Sequence, residues 1–125
     1  MAILETPTRN AAADAVVDLV DAGATAGNGT LVFQTATDAA VATLTFSATA
    51  FGAATGGVAT AASITSDTNA TGGTAAQASI FDSDSTKILE ATVGTTGAEI
   101  NLSSTTIGAG DTVSVSSLTV IMPAS

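Results

Sequence analysis

Between residues 6 and 22 apolar side chains recur at helical spacing, with Ala13, Val16, Val17 and Val20 on one side of a repeat of about 3.6 residues. Thr6 stands where a cap is needed, Pro7 suits a first turn whose N–H groups have no helical partner, and Gly23 can end the helix. The pattern predicts one helix with an apolar face. Its other side carries Asp14, Asp18 and Asp21, with no lysine or arginine placed to pair them. Asp21 also lies at the end of the helix where the dipole disfavours an anion. Such a stripe is either a solvated face or a docking strip for a basic neighbour. The second reading makes Asp14, Asp18 and Asp21, with the apolar Ile3 and Leu4 of the opening "MAIL", the candidate interface residues.

From Gly29 onward the period falls to two. Short β-branched runs are separated by Gly, Asn, Asp and Ser, the texture of an all-β sandwich or barrel. Strands are predicted near "TLVFQT", "AAVATLTFS", "GVATAASI", "AQASIFD", "TKILEATV", "AEINL" and "DTVSVSSLTVIM". Ala42, Leu44 and Phe46 share one face, Thr43 and Thr45 the other. In the last run Val113 and Val115 have the opposite parity to Leu118, Val120 and Met122, so a β-bulge or a change of sheet is expected at Ser116 and Ser117. The predicted fold is mainly β: an antiparallel β-sandwich of jelly-roll or Greek-key type with one short N-terminal α-helix. Residues 1–125 form a single domain, with arm and helix over 1–28 and the sandwich over 29–125.

The connections carry little chemistry. "FGAATGGV" and "NATGGTAA" are Gly-rich, but neither has the G-x-x-x-x-G-K-[ST] pattern or leads into a helix, so neither is a phosphate cradle. The most polar stretch, "SDTNATGGT" (66–74), is expected to be a mobile surface loop that orders only against a neighbour. In "IFDSDSTKILEATVG" (80–94), Asp82 and Asp84 alternate with serine as calcium-loop ligands do. A calcium loop begun at Asp82 would need Gly where Lys87 stands and a bidentate Glu where Val93 stands, so the template fails twice. A weak cation site at Asp82 and Asp84 and a carboxylate acid/base pair remain as alternatives. The flanking strand patterns favour a β-hairpin whose turn is built by Asp and Ser side chains, with Lys87 offsetting the local charge. No metal or cofactor is expected.

Charge narrows the partners. Eleven carboxylates against Arg9 and Lys87 give a net charge of −9, which repels a phosphate backbone, so nucleic acid is excluded as a partner. Asp14, Asp18 and Asp21 interrupt the only apolar span near the N-terminus, so neither a signal peptide nor a membrane helix is expected. The chain has no His, Cys or Tyr and no G-x-S-x-G, so the usual nucleophile and acid/base sets are missing and no enzyme is expected. Sugar binding lacks its aromatic platforms, since Phe33, Phe46, Phe51 and Phe81 all fall in or beside apolar strands. A core built from four Phe and much Ala buries little area per residue, which favours a protein stabilised by subunit contacts.

The phrases "FSATAFGAATGGVA", "FDSD", "VGTTGAEINLSSTTI" and "VSVSSLTV", spread over roughly residues 40 to 122, resemble a family of small proteins encoded by tailed bacteriophages and prophages. The resemblance implies a structural component of the virion, assembled in the bacterial cytoplasm. It points to a capsid decoration or cement protein bound to the major capsid protein and to copies of itself. A tail-associated or receptor-binding fibre module is the alternative. No catalytic residue is implied. The family's turn reads Ser-Asp-Gly-Thr, whereas this chain has Ser83, Asp84, Ser85 and Thr86. Serine in place of glycine leads to the expectation of a turn with no obligatory positive φ at residue 85.

Overall fold

The helix closes its first turn on Glu5, because Arg9 N donates to Glu5 O at 2.9 Å. The computed structural model describes residues 3–23 and 28–122. In it α1 runs over Thr6–Asp18 and tightens into a 3-10 turn at Leu19–Asp21. Glu5 is therefore the N-cap, extended at φ −70° and ψ 157°, and makes no side-chain capping bond. The cap expected at Thr6 falls one residue late. Thr6 is already helical, and its Oγ1 accepts from Arg9 Nη2 at 3.1 Å. The apolar face packs as its spacing predicts: Ala13, Val17 and Val20 are buried and Val16 is half-buried. Met1 and Ala2 of "MAIL" lie outside the described residues, while Ile3 and Leu4 are 68% and 38% exposed.

The strands are β1 (Thr30–Gln34), β2 (Ala40–Phe46), β3 (Val58–Thr60), β4 (Ile64–Thr65), β5 (Gly73–Thr74), β6 (Gln77–Phe81), β7 (Lys87–Gly94), β8 (Ile100–Asn101), β9 (Thr106–Ile107) and β10 (Thr119–Ile121). Six of them form one sheet in the order β4-β2-β1-β6-β7-β8, and β10-β3 and β5-β9 form two small ones. The chain is mainly β with one short N-terminal helix, in a sandwich-like arrangement. Helix α1 packs on β3 and β10, and one apolar cluster joins Val17 and Val20 to Leu31, Phe33, Leu44 and Ile80. The Ala42, Leu44 and Phe46 face is buried as predicted, and Phe46 meets Phe51 with ring centroids 5.5 Å apart. Between the two central strands Ser79 Oγ donates to Gln34 Oε1 at 2.7 Å, which satisfies a polar pair that is otherwise sealed from water.

The hairpins β1-β2 and β6-β7 are copies of one geometry. Gln34 opposes Ala40 as Phe81 opposes Lys87, and each hairpin then slips by one residue so that Phe33 opposes Ala42 and Ile80 opposes Leu89. Thr35 matches Asp82 in the turns. Thr35 Oγ1 accepts from Thr37 N (3.3 Å) and Ala39 N (3.2 Å), and Asp82 Oδ1 accepts from Asp84 N and Thr86 N (both 2.9 Å). Each turn ends in a left-handed residue, Asp38 at φ 69° and Ser85 at φ 64°. Because β1 and β6 pair antiparallel with Val32 opposite Ser79, a local two-fold axis between these two residues relates the hairpins.

Elsewhere the pairing departs from expectation. Predicted strand 57–64 divides into β3, which pairs with β10, and β4, which pairs with β2. The phase slip at Ser116 and Ser117 is a change of partner: Val113 bridges Asp67, whereas Thr119–Ile121 pair with β3. β7 and β8 are parallel, unlike the other strand pairs among the described residues, and meet through Val93↔Ile100 and Gly94↔Asn101. Segment 66–74 is pinned within the chain rather than awaiting a neighbour. Ala70 N donates to Asp111 O (3.0 Å), Gly72 N to Val41 O (3.1 Å), and Gly73–Thr74 pair with β9.

Candidate functional site

The polar side of α1 faces the chain's own β2–β3 connection. Asn10 Oδ1 accepts from Gly57 N and Asp14 Oδ1 from Ala54 N, each at 2.7 Å, while both carboxylate oxygens of Asp21 lie 3.2 Å from Ala50 N. Residues 10, 14 and 21 lie on one helix face, so three side chains in a row take up the N–H groups of Ala50, Ala54 and Gly57, while Gly52 N and Thr55 N of the same loop donate to Thr60 O and Val58 O of β3. Gly57 makes the close approach possible. It sits at φ 78°, and a Cβ there would meet Met122 O at 2.9 Å and Arg9 Cβ at 3.3 Å. Arg9 Nε is buried beside this contact and has no hydrogen-bond partner among the described residues.

Asp14 and Asp21 are thus neither simply solvated nor idle, and their bonds to the loop replace the solvated-face expectation. Asp18 differs: it is exposed, and among the described residues its side chain makes no hydrogen bond. Leu19 beside it is 50% exposed. Of the five candidate interface residues, Ile3, Leu4 and Asp18 point to solvent, whereas Asp14 and Asp21 are turned onto the body.

At the second hairpin, Asp82 is occupied by its own turn, with Oδ1 accepting two backbone N–H groups and Asp82 N donating to Thr86 O at 3.0 Å. Ser85 has φ 64° although it is not glycine, which corrects the expectation that no positive φ is required there. The type of turn is set by the bulged register, and that register demands a left-handed residue whether or not glycine is present. Ser85→Gly is accordingly expected to stabilise the protein by up to about 1 kcal/mol, read as a higher urea midpoint. An unchanged or lower midpoint would mean that the serine side chain offsets the backbone strain. Lys87 Nζ lies 2.9 Å from Glu90 Oε2, and that hydrogen bond raises the lysine pKa above its ordinary value.

Three further acids repeat the theme. Asp67 Oδ2 accepts from Thr43 N, Glu99 Oε1 from Thr92 N and Asp111 Oδ2 from Gly108 N, at 2.9, 3.2 and 2.8 Å. Their chemistry is to terminate backbone donors, a role that an i, i+2 spacing such as Asp67–Asn69 signals in sequence but that Asp14 does not. Among the described residues no three metal-ligating side chains converge. A partly apolar hollow of about 420 Å³ lies between β7, β8 and β10 and is lined by Leu31, Ile80, Leu89, Ile100, Leu118 and Val120 among others. No protein-family model, curated protein or solved structure matches the chain.

Proposed function

We propose that this chain is a structural protein of a tailed-bacteriophage virion, a capsid decoration or cement protein that binds the major capsid protein and other copies of itself. The observation that carries the reading, beside the sequence resemblance, is the N-terminal arm. Ile3 and Leu4 project from a helix that three side-chain bonds and a buried apolar face fix to the sandwich. An apolar hook on a rigid base loses little conformational entropy on docking. The Ala-, Ser- and Thr-rich surface supports the same reading, because short side chains have few rotamers to lose.

Trypsin and truncation test it. Arg9 and Lys87 are the only trypsin sites in the chain. Free protein is expected to be nicked first after Arg9, through local opening of the first helical turn, and shell-bound protein to resist. A chain lacking residues 1–9 should keep its β circular dichroism yet bind empty shells more weakly. Equal protection in both states, with undiminished binding of the shortened chain, would remove the arm from the interface. Quantitative mass spectrometry of purified particles separates shell from tail: abundance on the scale of the capsid subunits supports decoration, and a few copies per particle would assign the chain to the tail or fibre instead.

A further inference from the structure

The two equivalent hairpins differ in one respect. Phe46 N donates to Gly29 O and, at the matching place, Val93 N donates to Ala76 O, so in both hairpins the same alternate residues direct their backbone groups inward. The backbone groups of Val41, Thr43 and Thr45 in β2 therefore point to the sheet edge, as do those of Ile88, Glu90 and Thr92 in β7. On β2 the chain itself fills that edge: Val41 O accepts from Gly72 N, Thr43 N donates to Asp67 Oδ2, and Thr45 opposes Thr65. On β7 only the far end is filled, by Glu99 at Thr92 and by β8 at Val93 and Gly94. Among the described residues nothing occupies the outer backbone groups of Ile88 and Glu90.

An open edge of this kind is a template for another strand. β2 shows what fits: an extended polypeptide segment. We propose that the occupant is β7 of a second copy of this chain, added antiparallel across a two-fold axis so that two six-stranded sheets become one. The charge pattern selects that partner. Lys87 and Glu90 bracket Ile88 and Leu89, and an antiparallel copy brings the lysine end of one strand to the glutamate end of the other. The edge is therefore self-complementary, on a chain of net charge −9 that repels its own copies elsewhere. Leu89 lines the 420 Å³ apolar hollow beside this edge, and Ile121, 64% exposed, lies on the same hollow, so pairing also covers apolar surface. This names the surface for the self-association invoked above, but its test uses the protein without shells, so it can fail separately from the virion reading.

Sedimentation of the purified full chain over a range of concentrations is expected to show a dimer. Lys87 and Glu90 are 42% and 45% exposed, so Lys87→Glu and Glu90→Lys should leave the fold intact by circular dichroism. Each places like charges opposite one another and should weaken dimerisation at least about tenfold. An equimolar mixture of the two variants restores opposite charges across the pair and should recover a heterodimer, which a purely local role of the Lys87–Glu90 bridge would not produce. A wild-type chain that stays monomeric overturns the proposal and leaves the edge to a strand of another protein. Dimerisation unaffected by either variant, or no recovery on mixing, overturns it as well.

Discussion

Val17→Asp is expected to unfold the protein or to expel α1 from it. Val17 is 3% exposed and packs with Ala13 and Val20 into the cluster that also contains Leu31 and Phe33. An aspartate there loses apolar contact and brings an unpaired carboxylate into the core, a combination that costs about 4 kcal/mol or more. Whole-domain stability is typically only about 5–15 kcal/mol. Urea denaturation should show the midpoint collapse, while Val17→Ala, which only leaves a cavity, should shift it far less. If the helix alone is lost, β circular dichroism survives and Arg9 becomes freely cut by trypsin. An unchanged midpoint and unchanged protection would show that α1 does not anchor the sandwich.

Asp14→Ala should lower stability by about 1–3 kcal/mol, because the N–H of buried Ala54 loses its acceptor at 2.7 Å. Asp14→Asn, which keeps a side-chain oxygen, should restore most of the loss. The comparison separates clamp from charge. If Asn behaves like Ala, the negative charge matters more than the acceptor, and a role for Asp14 in recognising a basic neighbour regains support. Loss of the Asp14 bond should also raise hydrogen exchange at Ala54 and its neighbours before it affects the central sheet, since Asn10 and Asp21 hold the loop from the helix only at Gly57 and Ala50.

The hairpins were the readable part of the sequence. Leu44 and Phe46 alternate with threonines, and Asp82 stands at the start of a turn, so face, strand and turn follow from neighbours a few residues apart. The helix was readable for the same reason, although its start moved to Glu5, because a cap depends on where the first backbone bond closes. Segment 57–64 reads as one run because Ala, Thr and Ser give no contrast between inside and outside, and the division into β3 and β4 is made by distant partners, β10 and β2. Gly73–Thr74 and Thr106–Ile107 are too short to show any period. The polarity of 66–74 suggested mobility, yet Asp67 and Ala70 are held by groups remote in sequence. The carboxylate stripe was visible as Asp14, Asp18 and Asp21. That two of the three would turn onto residues 50–54 depends on tertiary contact and left no local trace.

The narrow passage at Gly57 has a consequence for connectivity. The space beside its Cα is bounded on one side by Arg9 and on the other by Met122 O, so the first turns of the helix and the last described strand meet there. Any segment that precedes the helix and any that follows Met122 therefore leave from one corner of the molecule. Topologically the described chain is close to a ring. Joined at that corner and reopened between Ser83 and Asp84, in the turn of the second hairpin, a circularly permuted chain would retain every strand pair of the six-stranded sheet. A peptide fused before the helix and another fused after Met122 would be displayed side by side, at the same pole as the apolar arm.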